Sequence, residues 1–223
     1  MSRTLQIEIV SDFVCPWCYI GKKRVEKALE AAPEVNADIV WRPFQLSPDM
    51  PREGRNRLEH YRDIFGAERA EQIMSNMRDT GTEEGIAFGA SPDAMSPNTL
   101  SAHTLLLWAE ESPDIDADAL AEALFSAHHV DCADLGDHNV LAAIAATVGM
   151  DADEVTARLA AAADEDRVQA AIQESQARGV SGVPFFIIDG KYGVSGAQPP
   201  EMLADAFRRI AAESGQAGSD SAA

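Results

Sequence analysis

Cysteine and lysine are scarce in this chain of 223 residues. Its three cysteines are too few for a disulfide scaffold in a chain of this length. Only four of its 18 basic residues are lysine, against 37 acidic residues, and the formal net charge is −19. Because such a surface repels nucleic acid and anionic membranes, we expect neither as a partner.

Long apolar runs are also absent. No run approaches the roughly 18 apolar residues of a membrane-spanning helix, and the first residues lack the pattern of a signal peptide. We therefore expect a soluble, cytoplasmic protein. The acidic, lysine-poor composition resembles that of proteins from high-salt cytoplasms, so a halophilic source is a hypothesis about origin and not about function.

Two of the cysteines, Cys15 and Cys18, lie at a predicted strand-to-helix junction. Residues 5–10 have the pattern of a strand that becomes buried, and residues 20–29 place their apolar side chains near one helical face. At such a junction, free N–H groups and the positive end of the helix dipole favour thiolate over thiol. Cys15 is therefore the predicted nucleophile, and Cys18 the thiol that attacks a mixed disulfide at Cys15.

A zinc site and a structural disulfide are the alternative interpretations of this pair. The single remaining cysteine, Cys132, leaves a four-cysteine tetrahedron incomplete, and its spacing from His128 and His129 matches no common ligand pattern. A disulfide between Cys15 and Cys18 would close so short a loop that it removes little entropy from the unfolded chain. We therefore predict redox chemistry and no metal site.

The remaining elements follow the order of an α/β fold that helices interrupt. A second strand is predicted over residues 37–42. The sheet then resumes with a strand over 183–188, a hairpin turn at Asp189–Gly190 and an antiparallel strand over 191–194, before a last helix over 201–213. Between residues 56 and 178 the apolar spacing predicts helices and no strand. The segments with the clearest helical spacing are 57–65, 67–78, 98–111, 117–129 and 139–148.

Three groups of motifs, at both ends and in the middle of the chain, indicate a family. They are Ser11-Asp12-Phe13-x-Cys15-Pro16-Trp17-Cys18-x-x-Gly21, Ser96-Pro97-Asn98-Thr99 with Ala102-His103, and Gly182-Val183-Pro184-Phe185-Phe186 followed by Gly193-Val194-Ser195-Gly196-Ala197-Gln198. With the element order, they resemble the DsbA family, and more closely its FrnE-like branch. The resemblance implies a thioredoxin fold with a large all-helical insertion after the second strand.

The same reasoning divides the chain into domains. A discontinuous thioredoxin-like domain is expected over residues 1–54 and 164–213. The helical insertion is expected over residues 55–163. Residues 214–223 are small and polar, and are predicted to form a flexible tail.

The resemblance also implies residues that contact the substrate. In the family, the proline that matches Pro184 is cis and lies against the cysteine pair. Because a proline at a strand start lacks an N–H, it leaves an edge at which an extended substrate pairs with Val183. Phe13 is a further predicted substrate contact.

The two residues between the cysteines, Pro16 and Trp17, depart from the Pro-His of the strongly oxidising periplasmic enzymes. Without that histidine, one source of positive charge near Cys15 is missing, which predicts a milder oxidant. Trp17 either offers an apolar face to substrates or packs against the insertion, and both interpretations stay open.

Three other polar residues are candidates for support of the cysteine pair. Asp12 either caps the turn or exchanges protons with Cys18, and capping is the favoured role. Asn98 and His103 are expected on an inserted helix, and the resemblance implies that this helix faces the redox site. A solvent-exposed or hydrogen-bonded role is favoured for His103.

The predicted activity is thiol–disulfide exchange with protein or small-molecule thiols and disulfides. No metal or organic cofactor is expected. Glutathione is a candidate co-substrate, and either glutathione or a thioredoxin-like reductant is the expected electron partner. The direction of electron flow stays open, as does the choice between monomer and homodimer.

Two alternative functions also stay open. The related 2-hydroxychromene-2-carboxylate isomerases use glutathione on the same inserted fold, but typically have serine at the position of Cys15. A non-catalytic holdase would bind unfolded chains through the apolar surface around Trp17 and Pro184. Its activity would survive replacement of Cys15, whereas disulfide exchange would not.

Overall fold

The computed structural model describes residues 4–217. The strands are β1 (Leu5–Ser11), β2 (Ala37–Pro43), β3 (Arg55–Asn56), β4 (Met95–Ser96), β5 (Phe185–Ile188) and β6 (Tyr192–Ser195). The helices are α1 (Pro16–Ala31), α2 (Arg57–Phe65), α3 (Ala67–Glu84), α4 (Leu100–Glu110), α5 (Ala117–His129), α6 (His138–Thr147), α7 (Ala152–Ala160), α8 (Glu165–Ala177) and α9 (Pro200–Ala217). No helix within these residues is both long and apolar enough to cross a membrane.

A four-stranded sheet in the order β2-β1-β5-β6 forms the centre of the fold. β1 pairs in parallel with β2, whereas β5 is antiparallel to both β1 and β6. β1 is buried along almost its whole length because it is an inner strand, which explains its nearly continuous apolar sequence. This is the predicted α/β thioredoxin fold, interrupted by helices after its second strand.

The segment between β2 and β5 is helical apart from one short antiparallel pair. In this pair Arg55 of β3 lies opposite Ser96 of β4, and Asn56 lies opposite Met95. The prediction of no strand between residues 56 and 178 was therefore wrong in this detail. Two residues are too few to show the alternation by which a strand is recognised in a sequence.

The C-terminal helix also differs from its prediction. α9 continues to Ala217, so the first residues of the predicted tail, 214–217, belong to the helix. The rest of that tail, 218–223, lies outside the described residues. The division of the chain into two domains stays a prediction.

A buried lysine fastens the insertion to α1. Lys22 is 3% exposed, and its Nζ lies 3.0 Å from Asp118 Oδ2 and 3.2 Å from Glu122 Oε2 of α5, with a further ion pair to Glu26. Burial acts to lower the pKa of Lys22, but the three carboxylates raise it overall. Tyr19 adds a hydrogen bond of 2.8 Å to Glu122. These contacts hold the helix that begins at the cysteine pair against the insertion.

Candidate active site

Cys15 is the N-cap residue of α1, between the end of β1 and the first helical residue, Pro16. The predicted strand-to-helix junction is thus confirmed. Proline suits this position because its missing N–H has no partner in the first turn of a helix. Both Cys15 and Cys18 are free thiols, and they are 5% and 0% exposed.

Cys18 differs from Cys15 in its surroundings. Burial raises the pKa of the Cys18 thiol well above its usual range, and the hydrogen bond and charge at Cys15 act in the same direction. The Cys18 N–H donates to the Cys15 carbonyl at 3.0 Å. Cys18 is therefore held as a thiol beneath Cys15 until a group accepts its proton.

The Val183–Pro184 peptide bond is cis, as predicted. Cys15 Sγ donates to the carbonyl oxygen of Val183 at 3.7 Å. A Cβ atom at Gly21 would lie 3.1 Å from Cγ of Pro184, so glycine at this position lets α1 approach the proline closely. The structure thus brings together two segments that are distant in sequence.

Asp12 does not have the predicted capping role. α1 has no side-chain cap, and Oδ2 of Asp12 instead accepts the N–H of Leu46 at 2.8 Å. The reason is that the loop after β2 returns over the turn before α1 and presents its own N–H to the carboxylate. Oδ1 has no hydrogen-bond partner and lies 3.6 Å from His103 Nε2, in a side chain that is 1% exposed.

His103 is a buried, hydrogen-bonded residue of α4. Its Nε2 donates to the carbonyl oxygen of Phe44 at 2.9 Å. This agrees with one of the two roles that were favoured for it. His103 therefore fixes the start of the loop after β2 above the cysteine turn.

Asn98 precedes α4, which begins at Leu100, so its predicted position on a helix was wrong. Its Oδ1 accepts the N–H of Leu100 at 3.0 Å and a hydrogen bond of 3.2 Å from Gln45, and its Nδ2 donates to the Met50 carbonyl at 2.7 Å. These bonds turn the side chain toward the loop after β2. Asn98 thus acts on the site by holding that loop.

Phe13 is fully buried, so its predicted contact with substrate was wrong. Its ring centroid lies 4.9 Å from those of His103 and Phe125. A side chain without exposed surface supports the turn before Cys15 but does not meet a partner molecule. Its position next to the motif gave no sign of which way the ring points.

A cavity of about 370 Å³ opens beside Cys15, and we name it the α2 cavity. It lies between the cysteine turn with Trp17, the loop after β2, and the helices α2 and α3. Within the described residues, five large hydrophobic side chains are exposed, and four of these line the cavity. They are Trp17, Leu46, Ile64 and Phe65.

Two polar residues of α2, His60 and Tyr61, also line this cavity. Burial, followed by the negative charge at Cys15, raises the pKa of Tyr61 to about 12. Burial, followed by the charge of Arg55, lowers the pKa of His60, whose Nδ1 has no hydrogen-bond partner. Both side chains are thus uncharged near neutral pH. The apolar spacing of residues 57–65 predicts this helix but does not indicate which of its residues face the cysteine turn, so His60 and Tyr61 were not among the predicted site residues.

His128 and His129 are buried at the end of α5, with ring centroids 4.7 Å apart. Burial, followed by the charge of Arg57, lowers the pKa of His129 to about 3. Within residues 4–217, no group of three or more His, Cys, Asp or Glu side chains has the arrangement of a metal site. Cys132 follows the helix as a partly buried free thiol.

The relatives with solved structures share this architecture. The probable DsbA oxidoreductase SCO1869 from Streptomyces coelicolor is 36% identical, with a TM-score of 0.82 over 92% of this chain and 89% of that one. A 2-hydroxychromene-2-carboxylate isomerase is 16% identical, with a TM-score of 0.70 over 95% and 98%. The cytosolic disulfide reductase DsbM from Pseudomonas aeruginosa, also solved with GSH, is 17% identical, with a TM-score of 0.62 over 92% and 98%.

A family model agrees with the fold that the strands, the cysteine turn and the cis proline indicate. The model of the DSBA-like thioredoxin domain matches residues 6–208. This range includes both cysteines of the pair, the whole insertion and Pro184. The chain therefore belongs to the DSBA-like thioredoxin domain family.

Proposed function

We propose that this protein is a thiol–disulfide oxidoreductase that acts through Cys15 and Cys18. The observation that supports this most strongly is the contrast between the two thiols. Cys15 begins α1 at the edge of a cavity, whereas Cys18 is fully buried below it with a raised pKa. A nucleophile that reaches the partner and a second thiol that does not are the two parts that disulfide exchange requires.

The proposed cycle needs only sulfur chemistry. The Cys15 thiolate attacks one sulfur of a partner disulfide, a Cys15–partner disulfide forms, and the other partner sulfur leaves as a thiolate that takes a proton. Cys18 then loses its proton and attacks Cys15, which releases the second partner thiol and leaves a Cys15–Cys18 disulfide. A thiol reductant reverses these steps. We propose no metal or organic cofactor.

The partner chain is proposed to lie along Val183 and Pro184. Cys15 Sγ is 3.7 Å from the Val183 carbonyl, so a chain bound at this edge would place its disulfide next to the nucleophile. Trp17, which is 37% exposed, offers an apolar surface beside the pair. Pro16 starts the helix that positions Cys15.

The electron partner is proposed to be a thiol of the cytoplasm, either glutathione or a thioredoxin-like protein. The fold is similar to that of DsbM, a cytosolic disulfide reductase that has also been solved with GSH, and this similarity supports the proposal. A second candidate function is a glutathione-dependent isomerase. The observation in favour of the isomerase is the α2 cavity, because an apolar cavity of about 370 Å³ can hold a small aromatic substrate.

The redox equilibrium of the pair tests the proposal. We would measure it in glutathione and dithiothreitol buffers, with Cys132→Ser as the background so that the third thiol stays silent. The Cys15–Cys18 pair should form one disulfide reversibly. A potential above the cytosolic poise of roughly −220 to −320 mV indicates an oxidase or isomerase of disulfides, and a lower one a reductase.

Single substitutions provide the controls. Cys15→Ser should abolish exchange, and Cys18→Ser should accumulate the mixed disulfide because the resolving thiol is gone. A pair that does not exchange in either buffer would contradict the proposal. Isomerisation of a small aromatic substrate would then favour the isomerase, and binding of unfolded chains that survives Cys15→Ser would favour a holdase.

A further inference from the structure

The α2 cavity gives Cys15 a second approach, separate from the edge at Val183 and Pro184. Neither of these two residues lines the cavity, whereas Cys15 itself does. Cys15 is 5% exposed, so an extended segment or a small molecule reaches its sulfur more readily than the surface of a folded partner does. The volume of about 370 Å³ lies in the usual range of small-molecule sites.

The cavity offers no cation to a ligand. None of its lining residues within the described part of the chain is lysine or arginine, and Asp12 contributes a buried carboxylate. Asp12 Oδ1 and His60 Nδ1 have no hydrogen-bond partner. The nearby Arg55 is paired with Asp63 at 2.6 Å. A lining with one carboxylate and no cation disfavours carboxylate ligands and suits apolar molecules without negative charge.

The second nearby cation, Arg57, does not line the cavity either. Arg57, at the start of α2, donates to the carbonyl oxygens of Met95 at 3.3 Å and His128 at 3.0 Å. Its guanidinium is therefore already engaged by backbone carbonyl oxygens of β4 and α5. The positive end of the α1 dipole remains, but it acts on Cys15 within the first turn of the helix.

From these observations we infer that the α2 cavity binds a low-molecular-weight disulfide or thiol that is apolar and has no net negative charge. The inference rests on the proposed function and names the substrate class of the same nucleophile. It also narrows the electron partners proposed above, because glutathione, which has more carboxylate than ammonium groups, is then a poor occupant of the cavity. A reductant of the protein type or an uncharged thiol then supplies the electrons.

The chemistry in the cavity balances without a further reagent. The Cys15 thiolate attacks the bound disulfide, one half leaves as a thiolate, and a Cys15 mixed disulfide forms. Cys18 attacks Cys15 and releases the second half. Two thiols leave the cavity, each with one proton, and the two electrons come from the Cys15–Cys18 dithiol, which becomes a disulfide.

Two aromatic disulfides of similar size and different charge test the inference. These are 4,4′-dithiodipyridine, which is neutral at pH 7, and 5,5′-dithiobis(2-nitrobenzoate), which is a dianion. Their rate constants with the reduced Cys132→Ser protein would be measured by stopped-flow absorbance at low ionic strength. Each rate constant is divided by the rate constant for the reaction of the same probe with a small neutral reference thiol. This division removes the intrinsic reactivity of the probe.

We expect the neutral probe to be favoured by roughly five- to twentyfold after this normalisation. The ratio should fall toward one as salt is added, because salt screens the repulsion of the anion. Glutathione disulfide should follow the salt dependence of the anionic probe. Equal normalised constants at low salt would overturn the inference.

Matched substitutions distinguish the cavity from the overall charge of the protein. The first variant replaces Ile64, which lines the cavity and is 53% exposed, with lysine. The control replaces Met202 with lysine, because Met202 is 58% exposed on α9 and lies outside the cavity. Ile64→Lys should speed the anionic probe about fivefold or more. Met202→Lys should change it less than about twofold.

The outcomes separate this inference from the proposed function. If Ile64→Lys and Met202→Lys change the anionic rate equally, the discrimination comes from net charge, and the inference fails while disulfide exchange stands. If Cys15 reacts with either probe no faster than the reference thiol and no Cys15–Cys18 disulfide forms, the proposed function fails as well.

Discussion

At the scale of single residues, the resolving step of the cycle depends on where the proton of Cys18 goes. Burial raises the pKa of this thiol, so it does not ionise on its own near neutral pH. Asp12 is the candidate base: its carboxylate is 1% exposed, Oδ1 has no hydrogen-bond partner, and its negative charge acts on Cys18. With capping excluded, proton exchange is the remaining predicted role.

Asp12→Asn should therefore slow resolution of the mixed disulfide. Asparagine keeps the shape of the side chain and an acceptor for the Leu46 N–H, but it is not a base. We expect the release of the second partner thiol to fall by about 10- to 100-fold at pH 7. Acid-quench trapping of the Cys15 mixed disulfide, in the Cys132→Ser background, measures this rate.

The pH profile separates proton transfer from a structural effect. At high pH, hydroxide takes the proton of Cys18, and loss of the Asp12 charge makes that thiol easier to ionise. The two proteins should therefore converge as the pH rises. Equal rates at pH 7, or a slowing that is the same at every pH, would contradict a role for Asp12 as the proton acceptor.

Asp12 and Phe13 also show where prediction from the sequence ended at this scale. The roles of the cysteines follow from their spacing and from the junction at which they lie. The direction of the two side chains before them depends on the loop after β2 and on Phe125 of α5. These partners lie far along the chain, and nothing in the local sequence names them.

At the scale of elements, the loop after β2 forms one wall of the α2 cavity through Leu46 and Met50. Asn98 holds this loop from the start of α4 with bonds to Gln45 and to the Met50 carbonyl. It also accepts the N–H of Leu100. One side chain thus connects the wall of the cavity to the helix that contains His103.

Asn98→Ala should destabilise the protein and loosen this wall. It leaves the Met50 carbonyl and the Leu100 N–H without their partner, which costs about 1–3 kcal/mol in the free energy of unfolding. The KM for a small disulfide should rise because the cavity is less well formed. Denaturant unfolding and steady-state kinetics measure the two effects.

The matched control is Asn76→Ala. Asn76 lies on the surface of α3, where it accepts a hydrogen bond from Gln72. Its removal should change the free energy of unfolding by less than about 0.5 kcal/mol. If Asn98→Ala behaves like this control, the loop is held by its other contacts and not by the asparagine.

Prediction was most accurate for elements whose own sequence contains a strong signal. The spacing of α5 predicted residues 117–129, which are its bounds in the structure. Asp116 caps this helix by accepting the Ala119 N–H. By contrast, β3 and β4 exist only because the 38 residues between them, 57–94, fold back on themselves. Such pairing depends on tertiary packing and not on local pattern.

At the scale of the whole molecule, Glu8 joins three parts of the thioredoxin fold. It is a buried carboxylate on the inner strand β1, where apolar residues prevail. Arg178, after α8, forms two hydrogen bonds to it, at 2.8 and 2.9 Å, and Arg42 of β2 forms a third at 2.7 Å. The hydrogen bonds from Arg178, despite the opposing effect of burial, lower the pKa of Glu8 to about 2.

Glu8→Gln should destabilise the protein at neutral pH but not in strong acid. The pKa of Glu8 is lower in the folded chain than its ordinary value of 4.5, so its stabilising effect is present above that value. It is lost as the pH falls through about 2, where the folded carboxyl takes up a proton. We expect a difference between wild type and variant of about 2 kcal/mol at pH 7.

Urea unfolding of both proteins between pH 7 and pH 2 measures this difference, and the titration of all other carboxylates cancels in the comparison. Glu201→Gln, at an exposed position in the first turn of α9, is the control and should change little at any pH. If the difference in the free energy of unfolding between wild type and Glu8→Gln persists undiminished at pH 2, the variant is destabilised by altered packing and not by the loss of the charge. A difference that shrinks with the pH shows instead that the charge of Glu8 holds β1, β2 and the chain after α8 together beneath the cysteine pair.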